Sequence, residues 1–501
     1  MGIQLFRIRQ VGPLTFATMI RSSPQIEQFV DRMAQHFPHR PTDGQGTLMY
    51  AVSRFVYSTQ PRCTLMIRGY AGTGKTTSVG ALVQTLRDLG QRPVLLAPTG
   101  RAAKVMQSYA GITASTIHRR IYRSRKSNDG MPAFGVAPNS LENTVFIVDE
   151  ASMIGEGGGR STGTTMQFRS LLDDLMEFVF SGQGCRLVLV GDDAQLPPVG
   201  EQESPALNEA KMRAAFGLTV ATIRLTDVVR QEMDSGILYN AHNLRLNLER
   251  KDDTWPSFET QPFADMKRIH GNELQEVLED AFHHYGEDQV ALITRSNKRA
   301  QQFNQQIRHR ILWREESLEA GDRLMVVRNN YHWLAQVENI QTTLLANGDG
   351  LEVTKVLKRF KRYGISFAEV EVKFADAPES PVFEVCINLS ILESDLPQIP
   401  YAETQALEEA IGLDYVHLGS KTAIRKAVKA DPCFQALQVK FGWAMTCHKA
   451  QGGQWPMVLI DPGYLTEDSI DLEWMRWLYT AFTRAQKELV LLNFADAFFK
   501  D

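Results

Sequence analysis

The run "GYAGTGKTT", Gly69 to Thr77, follows the aliphatic stretch "TLMIR" and precedes "TTSVGALVQTLRDL", whose apolar spacing is helical. It satisfies G-x-x-x-x-G-K-[ST] in the strand-loop-helix context that this pattern requires. Glycines let backbone N–H groups wrap a phosphate chain, so Gly72, Thr73, Gly74, Thr76 and Thr77 are the expected phosphate ligands. Lys75 would neutralise β- and γ-oxygens, and the Thr76 hydroxyl would ligate Mg2+. The complementary acids stand in "VFIVDEAS". Asp149 would hold the ion through its water shell, and Glu150 would orient and polarise an attacking water. A third acidic strand tip, "LVLVGDDAQLPPVG" from Leu187 to Gly200, places Gln195 where an amide could bond a phosphate oxygen or that water and lose the bond after hydrolysis. Pro197 and Pro198 would stiffen the segment that carries the change onward, although taken alone the stretch also reads as a polar turn closed by prolines.

Such tips need strands behind them. The runs "TLMIRG", "PVLLAP", "VFIVDE", "RLVLVGD", "VALITRS", "MVLID" and "ELVLLN" are apolar throughout, as parallel strands buried on both faces are, and helical stretches follow them. The fold class is therefore α/β and doubly wound. The signature runs from about Cys63 to Thr226, returns around Val290, and resumes from Met457 to the C-terminus, which predicts two cores with the second interrupted. The interruption, from about Glu316 to Ala430, alternates in "LEVTKVLKRFKRYGISFAEVEVKF", where a turn at Tyr363-Gly364 would join antiparallel strands. A helical stretch near Thr404 to Lys429 would lead back to the second core. Between Arg119 and Thr144, Gly, Pro and Asn punctuation without helical period predicts a short hairpin or loop, and "GEGGGRSTGTT" reads as a surface loop.

Composition narrows the function classes. No uncharged apolar run is long enough to span a bilayer, and the N-terminal segment reads as an ordinary extension without a cleavage site. Cys63, Cys185, Cys386, Cys433 and Cys447 form no CxxC pair, which argues against zinc or a disulfide framework and for a reducing, cytoplasmic setting. The net charge of −4 gives no support for a nucleic-acid partner, so any polyanion must be held in a local groove. No carboxylate cluster beyond the phosphate site has nuclease spacing.

The segments "GYAGTGKTT", "APTGRAAKVM", "STIH", "VDEAS", "GDDAQLPPV", "TCHKAQG" and "YTAFTRA" follow in the order and roughly the spacing of superfamily 1 helicases, and the chain resembles the RecD-like and Dda-like branch from about Pro41 to Asn493. The resemblance implies two RecA-like motor domains that close over ATP, an SH3-like inserted domain, and 5′ to 3′ movement on single-stranded DNA. It would give Gln45 the adenine edge, through "PTDGQ". Pro98, Thr99, Lys104, Thr116 and His118 would line the DNA track, though Thr116 could equally cap a helix and His118 could be a packed core residue. Arg230 matches an arginine that reaches the γ-phosphate from the first motor domain, and Arg484 the arginine finger of the second. Thr446, His448 and Lys449 would bind the DNA backbone, with Gln451 and Gly452 nearer the nucleotide. "GGQW" departs from the serine and acidic residue common in related sequences, which leaves that local contact open. Phe134 would tip a strand-separating pin.

The implied organisation is an extension at 1–40, a first motor domain at 41–245 with a pin-like insertion at 119–144, a second at 246–315 and 431–501, and the inserted β-rich domain at 316–430. The implied activity is ATP- and Mg2+-dependent DNA unwinding by a monomer acting on single strands and duplex junctions, with no membrane partner and with single-strand-binding or repair and replication proteins as possible associates. An RNA helicase, or an ATP-switched nucleic-acid clamp that does not unwind, would share these motifs.

Overall fold

In this computed structural model the described residues run from 23 to 500, apart from 127–131, 158–169, 228–234, 252–253, 338–343, 376, 378 and 466–468. Arg230 and positions 158–165 of the glycine-rich stretch lie outside them.

The chain enters strand β1 (Cys63–Gly69), then β2 (Val94–Ala97) and β3 (Ala114–Thr116), a hairpin of β4 (Tyr122–Lys126) and β5 (Pro132–Val136), and then β6 (Val145–Val148), β7 (Arg186–Gly191) and β8 (Thr219–Leu225). All but the hairpin form a parallel sheet ordered β3-β2-β6-β7-β1-β8. Side chains alternate along each strand, so both faces of these apolar runs need cover. Leu65, Ile67, Val188 and Val190 pack beneath Leu48, Val52, Val79 and Leu82, while Met66, Leu187 and Leu189 pack on Leu172, Leu175 and Met176. Each fully buried aliphatic side chain contributes roughly 1.5–3 kcal/mol. That burial fixes the register with which β1, β6 and β7 bring their carboxyl ends together.

One local feature differs from the sequence expectation, and the helix that Thr116 was free to cap runs into the stretch read as hairpin or loop from Arg119. The helix Pro24–Gln35 lies within the segment read as an extension, yet Phe29 and Met33 enter the first core, because its apolar residues recur at helical spacing. The helix Ile117–Ile121 precedes the hairpin and buries Ile117 and Ile121, and five residues are too few to show a period.

Strands β9 (Met266–Ile269) and β10 (Val290–Thr294) belong to a second parallel sheet. The chain then builds β11 (Arg323–Val326), β12 (Gly350–Arg362), β13 (Ile365–Phe374), β14 (Phe383–Asn388) and, after the helices Tyr401–Asp414 and Lys421–Ala430, β15 (Val439–Phe441). It returns through β16 (Ala444–Thr446), β17 (Trp455–Asp461) and β18 (Ala485–Leu492). The second parallel sheet is ordered β16-β10-β17-β18-β9, and the antiparallel one β14-β13-β12-β11-β15, so the latter draws its last strand from beyond residue 430. The long β12/β13 hairpin turns on Tyr363 (φ 54°) and Gly364 (φ 75°), the double positive φ of a turn that matches strand twist.

The antiparallel sheet is fixed to the second parallel one. Their apolar residues form one continuous core that includes Leu292, Leu459, Leu351 and Val439. Where β15 passes into β16, the buried Asn304 amide donates to the carbonyls of Phe441 and Ala444 and accepts from Ala444 N–H. Arg308 grips the buried Asp322 through two nitrogens at 3.0 Å and lies over the Phe441 ring. The segment "TCHKAQG" thus starts from a rigid corner.

Candidate active site

A cavity of about 230 Å³ lies between the two parallel sheets. Its floor is the loop after β1. Gly72 (φ 75°) and Gly74 (φ 78°) take left-handed conformations that turn the chain into the helix Lys75–Asp88. Gly69 is tied down too, since a Cβ there would lie 2.8 Å from Thr73 Oγ1. The buried Thr73 hydroxyl donates to the Tyr70 carbonyl at 2.8 Å, shaping the loop from beneath, while Gly72, Gly74, Lys75, Thr76 and Thr77 line the cavity. Lys75 Nζ donates to the carbonyls of Gly69 (2.6 Å) and Tyr70 (2.8 Å) and stands 3.9 Å from the Asp192 carboxylate. Gln45 is fully buried, but its Oε1 accepts from Thr42 N–H in a capping box and its Nε2 faces the Thr73 carbonyl at 3.5 Å; it is not among the cavity-lining residues. The cap occupies the amide that the resemblance assigns to adenine.

Asp149 and Glu150 face this floor from the end of β6. Asp149 accepts from Glu150 N–H on Oδ1 and from the Tyr109 hydroxyl on Oδ2, so its carboxylate is held at both oxygens. Glu150 takes a left-handed backbone (φ 51°, ψ 37°), unusual for a residue with a Cβ and of the kind held where function requires a particular aim. Across the cavity Arg484, fully buried, stands 3.5 Å from Glu150 Oε1. Its fork is oriented by the carbonyls of Thr480 and Gly453 and by the Thr483 hydroxyl. Gln195 lines the same cavity, and its Oε1 is buried without a hydrogen-bond partner. Such an orphan acceptor costs about 1–3 kcal/mol and fits a ligand-borne donor.

The strand tip 192–196 is a clasp between the halves. It meets the helix Leu472–Phe482, where Tyr479 Oη donates to Asp192 Oδ2 (2.7 Å) and accepts from Ala71 N–H of the phosphate loop (3.0 Å). Leu196 N–H donates to Thr480 Oγ1 at 2.8 Å, Arg476 to the Asp193 carbonyl at 3.2 Å, and Gln451 Nε2 to the Leu196 carbonyl at 2.7 Å. Burial raises the pKa of the Asp192 carboxyl against the opposing pull of Lys75. Gln451 therefore serves the clasp and a neighbouring small cavity, whereas Gly452 lines the larger one above the phosphate loop.

Two of the residues expected on a DNA track, Thr99 and Lys449, line that small cavity. Thr99 and Arg101 meet Lys449, Gln451 and Trp455 there, with Gly348 from the turn that precedes β12. Arg101 lies over the Trp455 ring at 4.4 Å, joining the halves within the divergent "GGQW". Burial lowers the pKa of Lys449 to about 8 and also lowers that of His448. Pro98 and Thr446 are half-buried at strand ends and Lys104 is exposed. Thr116 caps the helix Ile117–Ile121 by accepting from Arg119 N–H, and His118 packs on Tyr122 with its pKa lowered to about 4 by burial. Phe134, expected at the tip of a pin, instead lies in the middle of β5 opposite Ser124 of β4, two residues inside the last pair, Lys126 with Pro132.

Sequence reasoning did not single out Tyr109, Tyr479 or the wall made by Ile237, Leu238 and Ala241. Tyr479 stands inside "YTAFTRA" and could have been suspected there; the spacing of Ala102, Val105 and Tyr109 along one helix face was the signal for the other tyrosine.

Comparison with known proteins finds family models, curated relatives and solved structures similar to this chain. A family model described as an AAA domain matches residues 50–274, and one described as a UvrD-like helicase C-terminal domain matches 441–492. The ATP-dependent RecD2 DNA helicase of Deinococcus radiodurans is 28% identical over 438 residues, covering 86% of this chain and 47% of that protein, so the chain spans about half its length. The ATP-dependent DNA helicase dda of Enterobacteria phage T4 is 28% identical over 168 residues, 33% of this chain and 34% of that one. Among solved structures, Pif1 helicase from Bacteroides in complex with ADP-AlF3 and ssDNA covers 92% of this chain and 95% of its own at 13% identity and TM-score 0.43.

Proposed function

We infer that this chain is a superfamily 1 helicase of the RecD-like kind, and from that premise we propose an ATP-driven motor that moves 5′ to 3′ along single-stranded DNA and separates duplex ahead of it. One observation carries the proposal: Glu150 from the first half and Arg484 from the second face each other at 3.5 Å across a cavity floored by the phosphate loop. Neither half alone completes that set, so turnover requires closure.

The triphosphate enters over the loop, and Lys75 leaves the Gly69 and Tyr70 carbonyls for the β- and γ-oxygens. Glu150 accepts a proton from the water whose oxygen attacks the γ-phosphorus, and ADP leaves with the bridging oxygen. Arg484 spreads charge over the phosphoryl oxygens, while Gln195 Oε1 takes a donor from that water. Arg230 is assigned a second γ-phosphate contact on the motif alone. A hydroxyl and a single carboxylate suit Mg2+, a hard cation that travels with nucleotide phosphates and neutralises their charge, and Thr76 and Asp149 would hold it.

Loss of the γ-phosphate removes a partner from Gln195 and Lys75, and the clasp at 192–196 loosens the helix Leu472–Phe482. Grips from the first half (Thr99, with Pro98, Lys104, Thr116 and His118 nearby) would alternate with those from the second (Thr446, His448, Lys449). The antiparallel sheet, with β15 drawn from beyond residue 430, serves as the SH3-like domain and the β4/β5 hairpin as the pin carrying Phe134. Single-stranded DNA and duplex junctions are the proposed partners. Among the described residues no helix is long and apolar enough to cross a membrane.

The test is nucleotide turnover with single-stranded DNA, single-stranded RNA or neither, with Lys75→Ala as control. Stimulation by DNA that is lost in the variant supports the proposal; equal turnover with and without nucleic acid sinks it.

A further inference from the structure

One helix walls both cavities. Gly100–Ala110 is 11 residues long, about 16 Å at 1.5 Å per residue. Its front end is at the small cavity, where Thr99 caps it by accepting from Ala102 N–H (3.2 Å) and Thr99 and Arg101 stand beside Lys449. Its flank, Ala102, Val105 and Tyr109, lines the nucleotide cavity. At its far end the Tyr109 hydroxyl donates to Asp149 Oδ2. That end is keyed to the phosphate-loop helix as well, because a Cβ on Gly80 would lie 3.1 Å from the Tyr109 carbonyl.

We propose that Tyr109 is a positioning residue for Asp149 that couples strand binding at the Thr99 end of its helix to Mg2+ retention at the nucleotide site. The proposal rests on the helicase reading. With Glu150 N–H on one oxygen and Tyr109 on the other, the Asp149 carboxylate has a single orientation. A helix moves as a rod, so a shift imposed at Thr99 arrives at the hydroxyl and re-aims the carboxylate. Removing the hydroxyl leaves the ring in place but disconnects the rod.

The experiment titrates Mg2+ into fluorescent ADP and the full chain, with and without single-stranded DNA, for the wild type and Tyr109→Phe. For the wild type, DNA should shift the Mg2+ midpoint. In the variant that midpoint should rise about tenfold, as expected for loss of a group supporting a metal ligand, and the shift on adding DNA should disappear. A purely structural role would lower the melting temperature and leave the Mg2+ midpoint and its DNA response alone, which would overturn the proposal. Tyr109→Leu, which also lacks the hydroxyl, should behave like Tyr109→Phe in the same titration; a wild-type midpoint in it refutes the role. Wild-type protein that binds no nucleotide at all would instead refute the nucleotide site itself.

Discussion

Removing a single oxygen at the clasp should separate the two halves functionally without unfolding either. Tyr479 Oη makes two bonds across the cleft, one to the buried Asp192 carboxylate and one from Ala71 N–H. A hydrogen bond to a charged group contributes roughly 1.5–3 kcal/mol and a neutral one roughly 0.5–1.5. Tyr479→Phe therefore costs the closed cleft on the order of 2–4 kcal/mol, since both partners stay buried while a hydrated cleft would re-solvate them. Only the closed arrangement brings Arg484 to Glu150, so kcat/KM for ATP should fall roughly 30- to 1000-fold at 1.4 kcal/mol per decade. The assay is steady-state hydrolysis with saturating single-stranded DNA, paired with a melting curve. A Phe variant with wild-type kcat/KM and an unchanged melting temperature would show that the clasp does not gate the site.

Other substitutions probe separate parts. Glu150→Gln should bind fluorescent ATP as the wild type does while hydrolysis drops about 100-fold or more, the usual scale for a lost general base. In Gly452→Ala the residue would have to keep φ 71° with its Cβ 2.9 Å from Ala102 Cβ and 3.0 Å from Thr99 Oγ1, so closure should cost roughly 1–3 kcal/mol and kcat/KM should fall roughly 5- to 150-fold in the hydrolysis assay. Lys449 has a pKa lowered to about 8, and phosphate binds its protonated form. Affinity for single-stranded DNA should therefore weaken by up to about tenfold from pH 7 to pH 9, and Lys449→Gln should flatten that slope in a fluorescence-anisotropy titration.

What could be read from sequence was what is local. The phosphate loop is contiguous and its glycine conformations are demanded by its own geometry, so Gly69 to Thr77 announced it; the uniformly apolar strands announced the parallel sheets. The Tyr363-Gly364 turn was legible for the same reason, because two positive-φ residues between alternating runs leave few options. Contacts between distant segments were not. Tyr479 meets Asp192 across 287 positions, and no periodicity marks such a pair. Tyr109 meets Asp149 across 40, hidden in a helix that otherwise reads as core. Dual-use polar residues were ambiguous by nature: the same side chain can cap a helix or touch a ligand, and the Thr116 hydroxyl and Gln45 amide are both engaged in caps. Position 230 falls outside the described residues, so the second arginine rests on "LTDVVRQ" alone.

Directional unwinding is the most direct test of a motor assembled from these two halves. Duplex DNA bearing either a 5′ or a 3′ single-stranded tail would be incubated with ATP and Mg2+, using Lys75→Ala as the inactive control. Strand release only from the 5′-tailed duplex is the predicted result. Release only from the 3′-tailed duplex would contradict the polarity, and DNA-stimulated hydrolysis with neither duplex opened would contradict unwinding and leave a nucleotide-switched clamp in its place.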